Sequence, residues 1–226
     1  MKNILIVAAH PDDEVLGCGG TIAKLTSAGN KVIVAFLCDG EKSRKGINKK
    51  NIKKKIIDRK KAAQKACSIL GAEKPFFNDF PDNKLDSLPI LKVVQSIENL
   101  IDKFSPDTIF THFAGDLNVD HSIINKAVIT ACRPQPQSKV KEILFFEIPS
   151  SSEWYFSNDA AHFRPNWFED ISDFIEVKLK ALECYGKEVK KWPHPRSIKG
   201  VEYLARYRGS IVGYSAAEAF ILGYKK

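Results

Sequence analysis

Two clusters of chemically active side chains stand out in the sequence, each at the end of an apolar run. The first cluster follows Ile4–Ala9 and comprises His10, Asp12, Asp13 and Glu14. The second cluster belongs to the end of Thr108–Phe113 and comprises His112, Asp116, Asn118, Asp120 and His121. Crowded charges are costly unless a cation or hydrogen-bond donors compensate them, and a divalent metal would do so directly. A catalytic zinc ion is typically bound by a histidine and a carboxylate from one loop and a histidine from another loop. An exposed polar turn and a hydrogen-bonded histidine at a strand end are the alternatives.

The elements that must position these clusters alternate between strands and helices. Buried strands are predicted for four apolar, β-branched runs, Ile4–Ala9, Val32–Leu37, Thr108–Phe113 and Ile143–Ile148. Helices are predicted over Thr21–Ser27, Ile52–Leu70, Leu88–Phe104 and His121–Cys132. This alternation predicts an α/β fold, a mostly parallel sheet with helices on both faces. Both clusters then lie at the carboxyl ends of strands, where such sheets bind their ligands.

The second half of the chain is less regular. Residues 149–168 are rich in Ser, Pro, Asn and aromatic residues and predict a long ordered loop. We predict a helix over Glu169–Tyr185, a proline-rigidified turn over Lys191–Arg196, and helical structure over Ile198–Arg208 and Ser215–Ile221. Because no repeat or long linker interrupts the chain, the expectation is a single domain over residues 1–226, with the C-terminal part (about 149–226) as a cap around the site.

Length, composition and charge exclude several classes of protein. In these 226 residues no apolar stretch approaches the roughly 20 residues that a membrane span requires. Five cysteines without a CxxC pair argue against a disulfide framework and for a cytoplasmic location. Eleven cations and one acid fall within Lys42–Lys61, where no aromatic residue occurs. Nucleic-acid binding is therefore disfavoured, and a solvated helix face or attraction of a phosphate-bearing substrate are the remaining interpretations.

Several short motifs resemble those of one enzyme family. The run Ala9–Glu14 (AHPDDE) is similar to the signature of the PIG-L/LmbE family of zinc-dependent de-N-acetylases. The similarity extends over Arg59, Ala63–Gly71, Asp82–Asp86, Thr111-His112, Asp120-His121, Glu147–Trp154 and Pro193–Ser197. The resemblance implies a Rossmann-like three-layer α/β sandwich and a hydrolase that uses zinc-activated water. Its implied substrate is a small N-acetylated amino sugar, of the N-acetylglucosaminyl-conjugate type.

The resemblance also implies roles for individual residues. His10, Asp13 and His121 match the ligands of one Zn²⁺ ion per chain, and Asp12 matches the catalytic carboxylate. Arg59 matches an arginine that contacts substrate. Many family members carry a histidine three residues before the last zinc ligand, where this chain has Asn118, which we place at the substrate as well.

Because this chain lacks that histidine, another residue must take over its role. His194 is held between two prolines beside Arg196, and we hypothesise that His194 acts in catalysis while Arg196 binds substrate. A packed surface turn is the alternative. Asp120 is expected to orient an imidazole other than that of its neighbour His121. Homo-oligomerisation is possible. Two other functions stay open: a non-catalytic sugar-phosphate or nucleotide-binding module, and a metal amidohydrolase with a non-sugar substrate.

Overall fold

A computed structural model describes residues 1–43, 49–156 and 162–226. The strands are β1 (Asn3–Ala8), β2 (Lys31–Cys38), β3 (Phe76–Phe80), β4 (Thr108–His112), β5 (Glu142–Phe146), β6 (Trp167–Asp170) and β7 (Ala217–Lys225). The α-helices are α1 (Asp13–Ser27), α2 (Lys49–Ile69), α3 (Ile90–Phe104), α4 (Val119–Ala131), α5 (Ile175–Glu183) and α6 (Ile198–Val212), and short 3₁₀ turns occupy Leu85–Ser87 and Gly186–Glu188. None of these helices combines the length and the apolar character that crossing a membrane requires.

The sheet reverses its strand order at the point where both clusters lie. Its order is β3-β2-β1-β4-β5-β7-β6. The pairings from β3 to β5 are parallel, and β7 pairs antiparallel with both β5 and β6. The chain therefore winds outward from β1 in one direction and from β4 in the other. A crevice opens at such a switch point because the connections leave in opposite directions.

Two hydrophobic clusters, one on each face of the sheet, form the core. Alternate residues of β1 belong to different clusters: Ile4 and Ile6 pack with α1, α2 and α5, and Leu5 and Val7 pack with α3 and α4. This period of two follows from the pleat of a strand. The arrangement confirms the predicted three-layer α/β fold with a mostly parallel sheet.

The predicted elements were wrong in several places, all outside the central parallel strands. Helix α1, predicted over Thr21–Ser27, begins at Asp13. Phe76–Phe80 is a short edge strand that was not predicted, because its sequence FFNDF is half polar. The helix predicted over Glu169–Tyr185 begins only at Ile175, since its first residues belong to β6. Ser215–Ile221 was predicted to be helical, but Ala217–Lys225 is strand β7. Pairing with β5 and β6 overrides the helix propensity of its alanines.

Helix α1 lies close to the sheet because its glycines have no side chains. A Cβ on Gly17 would lie 2.7 Å from Cγ of Phe146, and a Cβ on Gly20 would lie 2.7 Å from Cδ1 of Ile171. Real Cβ atoms do not approach other atoms this closely. The glycine run after the first cluster therefore serves the packing of the helix that carries Asp13.

A buried ion pair supports a break within the same helix. Cys18 has φ −150° and ψ 25°, which interrupt α1. The carboxylate of Glu218 accepts hydrogen bonds from the backbone N–H groups of Gly20 (2.9 Å) and Thr21 (2.7 Å). Lys178 pairs with Glu218, and both side chains are buried. The second half of α1 is thus capped by a residue of the C-terminal strand.

Candidate active site and metal centre

The two sequence clusters meet at the carboxyl ends of neighbouring strands. Val7 of β1 pairs with Thr111 of β4, so the residues that leave these strands emerge side by side. His10 lies just beyond β1, and His121 lies in the first turn of α4. The sheet and the N-termini of α1 and α4 therefore bring one imidazole from each cluster to the same buried location.

Three donor groups converge there with a spacing that suits one small cation. Single ligand atoms of His10, Asp13 and His121 all lie within 4.8 Å of one another, and the three residues are buried. Nδ1 of His10 and Nε2 of His121 each lie 3.4 Å from Oδ2 of Asp13. Two donors about 2.0–2.1 Å from one tetrahedral ion stand about 3.3–3.4 Å apart. The two distances to Asp13 fit that requirement.

Carboxylates lie on the far sides of both imidazoles, away from the nitrogens that face the centre. Nε2 of His10 is hydrogen-bonded to Oδ2 of Asp120 at 3.0 Å and lies 3.1 Å from Oδ1 of Asp82. Nδ1 of His121 lies 3.0 Å from Oδ1 of Asp116. Such outer carboxylates orient metal-binding imidazoles and raise their basicity. Asp120 was predicted for this position, whereas no role was predicted for Asp116 or Asp82, although both lie in or beside the chemically active motifs.

The electrostatics of the cluster favour a bound cation. Burial lowers the pKa of His121, but Asp13 and Asp116 outweigh it and raise this pKa to about 9. Burial also lowers the pKa of His10, but Asp120, Asp13 and Asp82 outweigh it. Together they raise this pKa well above its usual value. Within the described part of the chain, neither ring nitrogen of His121 has a hydrogen-bond partner of good geometry. A divalent ion would satisfy the buried Nε2 and offset the excess of carboxylates.

Asp12 is held in a strained conformation beside this centre. Its φ of 126° lies in a region that residues other than glycine rarely adopt. Its backbone N–H donates to Glu14 Oε2 at 3.1 Å, and its Oδ1 accepts from Arg59 at 3.2 Å. Its Oδ2 is buried without a hydrogen-bond partner among the described residues. Burial raises the pKa of Asp12 against the opposing charges of Arg59 and Arg196. One oxygen is thus anchored by Arg59, and the other makes no hydrogen bond within the described residues although Nη1 of Arg196 lies 3.5 Å away.

Arg59 organises the loop around Asp12 from a buried position. It also donates to the backbone carbonyls of Pro11 (3.0 Å) and Gly40 (2.7 Å). Gly40 has φ 72°, and a Cβ there would lie 3.0 Å from Cζ of Arg59. This organising role was not predicted from the sequence, and the expected contact of Arg59 with substrate stays a prediction.

Glu14 and Tyr185 form a second support, which was not predicted either. The Tyr185 hydroxyl donates to Oε1 of Glu14, and both residues are buried. Burial raises the pKa of Glu14 to about 8, although hydrogen bonds from Tyr185 and from the backbone of Asp12 lower it. Tyr185 lies far away in sequence, so no local signal connects it to the first cluster.

Asn118 has a structural role that its position in the motif did not suggest. Its side-chain oxygen accepts from the backbone N–H of Asp120 at 2.9 Å, so Asn118 is the N-cap of α4. The side chain is half-buried. A contact with substrate stays a prediction for this residue.

The proline-flanked turn reaches Asp12 through Arg196. Nη1 of Arg196 lies 3.5 Å from Oδ2 of Asp12, and its Nε donates to Ser150 Oγ at 2.8 Å. His194 is half-buried and accepts from the backbone N–H of Arg196 on Nδ1 at 3.0 Å. Burial, with Arg196 and Lys190 nearby, lowers the pKa of His194. The structure therefore joins Arg196 to Asp12, whereas a catalytic role of His194 stays a prediction.

His112 and Cys38 lie beside the candidate ligands. Nε2 of His112 accepts from the backbone N–H of Ala9 at 2.8 Å, and its ring stacks on His121 with centroids 3.9 Å apart. A sulfur of Cys38 lies within 4.8 Å of donor atoms of His10 and Asp120. Burial raises the pKa of the Cys38 thiol, which keeps it protonated. His112 thus packs as a hydrogen-bonded histidine at a strand end.

Fold and site together define an α/β protein with a candidate metal centre at the carboxyl ends of its parallel strands. The sequence model described as PIG-L, GlcNAc-PI de-N-acetylase, matches residues 5–132, which contain both clusters. This match covers more than half of the chain. The chain belongs to the PIG-L family, and the resemblance seen in its motifs is confirmed.

Named relatives align with 80–96% of this chain. An uncharacterized deacetylase of Escherichia coli, YaiS, is 30% identical over 188 residues, which are 80% of this chain and 89% of that protein. The diacetylchitobiose deacetylase of Thermococcus kodakarensis is 27% identical over 96% of this chain and 82% of its own length. A 4-oxalmesaconate hydratase of Pseudomonas putida is 26% identical over 85% of this chain and 76% of its own length. The names of these relatives thus describe more than one type of reaction.

The fold also matches solved structures. The conserved protein TT1542 from Thermus thermophilus superposes with a TM-score of 0.77 at 24% identity. The superposition covers 100% of this chain and 96% of that chain. It confirms the Rossmann-like α/β architecture.

Proposed function

We propose that this protein is a zinc-dependent hydrolase that removes the acetyl group from a small N-acetylated amino sugar. The observation that carries the proposal is the buried donor set of His10, Asp13 and His121, with the carboxylate of Asp12 beside it. The named deacetylases among the relatives support the reaction class, and the diacetylchitobiose deacetylase supports the sugar. One Zn²⁺ ion per chain would be held by the three donors.

The residues around the donor set have separate tasks in this reaction. When bound, zinc lowers the pKa of a coordinated water and polarises the acetamide carbonyl. Asp12 accepts the proton of the attacking water on Oδ2, the oxygen without a hydrogen-bond partner in the described chain. The same oxygen then returns a proton to the departing amine nitrogen, because an amide anion is too basic to leave. The C–N bond breaks, and acetate and the free amino sugar are the products.

Arg196, His194 and Arg59 complete the proposed machinery. Arg196 lies against Oδ2 and binds the reacting part of the substrate, and His194 supplies a donor that many family members provide at the position of Asn118. Arg59 keeps Asp12 in its strained geometry. If His194→Gln retains full turnover with zinc bound, the role of His194 is wrong.

The decisive experiment measures acetate release from N-acetylglucosamine and from its conjugates. Zinc-loaded wild type is compared with chelator-treated protein, with Asp12→Asn, and with Asp79→Asn, a matched change at an exposed aspartate. We expect zinc-dependent release that falls about 10²–10⁴-fold in Asp12→Asn and stays at the wild-type level in Asp79→Asn.

Other outcomes identify the rival functions. Release of acetate from non-sugar amides alone would indicate a different amidohydrolase. Water addition to an unsaturated tricarboxylate without acetate release would indicate a hydratase. Sugar-phosphate or nucleotide binding without stoichiometric zinc and without turnover would indicate a binding module.

We further propose a single domain over residues 1–226, a cytoplasmic location, and a cap formed by residues 149–226. Strands β6 and β7 of this part join the main sheet, and Arg196 reaches Asp12. All five cysteines are free, which suits a reducing compartment. Part of the basic segment 42–61, residues 44–48, lies outside the described residues.

A further inference from the structure

The positive charge of this protein is concentrated in one segment. The chain has 35 Lys and Arg residues and 27 Asp and Glu residues. Eleven of these cations and one of these acids fall within Lys42–Lys61, which leaves 24 cations and 26 acids elsewhere. Helix α2 holds most of this segment, and its side chains are described from Asn51 onward. The basicity therefore belongs to one place on the surface.

Helix α2 presents lysines on the side that faces away from the core. Ala63 and Ala66 are buried against the sheet. Lys54, Lys61 and Lys65 are exposed. At 3.6 residues per turn these three positions fall close to one line, opposite the buried alanines, and they extend over about 16 Å of the helix. We call Lys54, Lys61 and Lys65 the lysine row.

The charges of the lysine row are not compensated by neighbouring acids. Within the described part of the chain, none of the three lysines forms an ion pair. Lys60, on the flank of the same helix, does pair with Asp79 at 2.9 Å. Asp58 is the one acid in the sequence of α2. Ammonium groups without partners create a local positive potential, which attracts a polyanion.

An exposed apolar side chain lies among these lysines. Ile57 exposes 53% of its surface. The residues three and four positions away from it are Lys53, Lys54, Lys60 and Lys61. Residues at these spacings are neighbours on a helix surface, so Ile57 is surrounded by lysines. An apolar side chain flanked by lysines is typical of a helix that lies on lipid headgroups, where the apolar group enters the interface and the ammonium groups meet phosphates.

We propose that the lysine row and Ile57 dock the protein on an anionic lipid surface. The ligand is a layer of phosphate-bearing headgroups, such as phosphatidylglycerol, and docking is separate from the proposed hydrolysis. Each lysine near such a surface strengthens binding by about fivefold. Binding of this kind requires no helix that crosses the membrane.

The composition of this face favours a lipid surface over a nucleic acid. The exposed cations of the described part of α2 are all lysines, since Arg59 is buried. Lysine is a hydrated point charge, whereas the planar guanidinium of arginine suits specific contacts with nucleic acids. The segment Lys42–Lys61 also has no aromatic residue on which a base could stack. A lipid surface needs only charge and an apolar side chain that enters it.

The experiment measures co-sedimentation of the full chain with lipid vesicles at low and at high salt. Vesicles of equal parts phosphatidylglycerol and phosphatidylcholine are compared with vesicles of phosphatidylcholine alone. One variant replaces all three residues of the lysine row by glutamine. A matched control loses the same charge at exposed lysines on α3, α4 and α6, through Lys92→Gln, Lys126→Gln and Lys199→Gln.

We expect wild type to bind the anionic vesicles at low salt and to leave them at high salt, since salt screens exposed charges. The lysine-row variant is expected to bind about 100-fold more weakly, because three lysines are lost. The matched control is expected to stay within about threefold of wild type, because its lysines lie on other elements.

Two single substitutions test the same surface in opposite directions. Asp58→Asn removes the acid from the exposed side of α2 and is expected to tighten binding to the anionic vesicles by about fivefold. Ile57→Ser removes the apolar group and is expected to weaken binding by about threefold to tenfold, with the salt dependence of wild type. Circular dichroism of each variant shows that the helix is retained.

Three results would overturn the proposal. The first is the absence of binding to the anionic vesicles at low salt. The second is an equal loss in the lysine-row variant and in the matched control, because the net charge would then act without a docking face. The third is binding of a DNA or RNA oligonucleotide that the lysine-row variant loses, without vesicle binding, which would assign the face to a nucleic acid. Binding is measured without substrate, so the result does not depend on the proposed function.

Discussion

Replacing Asp116 by asparagine isolates the contribution of the carboxylate beside His121. Oδ1 of Asp116 lies 3.0 Å from Nδ1 of His121, whose Nε2 faces Asp13. Asparagine has nearly the same shape, so the change removes the negative charge and replaces one of the two acceptor oxygens, which bond to Ser151, Ser152 and the backbone N–H of Asn118, by an NH2 group. Loss of such an outer carboxylate typically weakens metal binding by about 10–100-fold. Zinc affinity is therefore expected to fall without a loss of the fold.

The pH dependence makes this prediction sharper. The pKa of His121 is about 9, since burial is outweighed by Asp13 and Asp116. An imidazole must lose its proton before it can bind a metal. At pH 7 only about 1% of the His121 side chains are deprotonated. Competition from protons therefore lowers the zinc affinity about 100-fold relative to high pH. Removing the charge of Asp116 lowers this pKa and weakens that competition. The loss of affinity in Asp116→Asn is therefore expected to be larger at pH 9 than at pH 7.

The assay is zinc competition against a chromophoric chelator at both pH values. Asp79→Asn serves as the control, since that aspartate is exposed and contacts Lys60. Thermal unfolding of each zinc-free protein shows that the fold is retained. The reasoning is refuted if Asp116→Asn binds zinc like wild type at both pH values, or if its loss is the same at pH 7 and pH 9.

Three further changes test the supports of the site by urea unfolding. Gly17→Ala forces a Cβ into the Phe146 ring and is expected to lower the free energy of unfolding by about 1–3 kcal/mol. An unchanged free energy of unfolding would contradict the close packing of α1 on Phe146. Lys178→Met leaves the buried Glu218 carboxylate without its cation and is expected to lower the free energy of unfolding by about 3–5 kcal/mol. An unchanged free energy of unfolding would show that the ion pair does not stabilise the fold. Asn118→Ala removes the N-cap of α4 and is expected to cost about 1 kcal/mol, whereas Asn118→Ser is expected to keep most of it.

The parts of the fold that could be predicted from sequence are those where local and tertiary preferences agree. β1, β2, β4 and β5 are apolar, β-branched runs, and burial on both faces demands that composition. β7 could not be predicted in the same way because Ala217–Ala219 favours a helix locally. Its strand conformation depends on pairing with β5, about 75 residues earlier in the chain.

The candidate site shows the same division between local and distant information. The sequence placed His10, Asp13 and His121 at strand ends, and the structure brings their donor atoms together. Tyr185, in contrast, carries no local signal, because its contact with Glu14 is created by the packing of α5 against α1. Residues that support a site from distant elements need coordinates before they can be found.

The roles that we propose for Asp12 and Asp13 agree with what each carboxylate faces. Asp13 lies against the imidazoles of His10 and His121, and they lower its pKa well below the usual value although burial opposes them. Asp12 faces the guanidinium groups of Arg59 and Arg196, and burial still raises its pKa. A metal ligand must stay ionised, whereas a general base must be able to hold a proton. Adjacent residues of one type can meet these opposite requirements because the positive φ of Asp12 lets them face different surroundings. The positive φ of Asp12 therefore points the proposed proton-transfer group and the candidate metal ligand toward different surroundings.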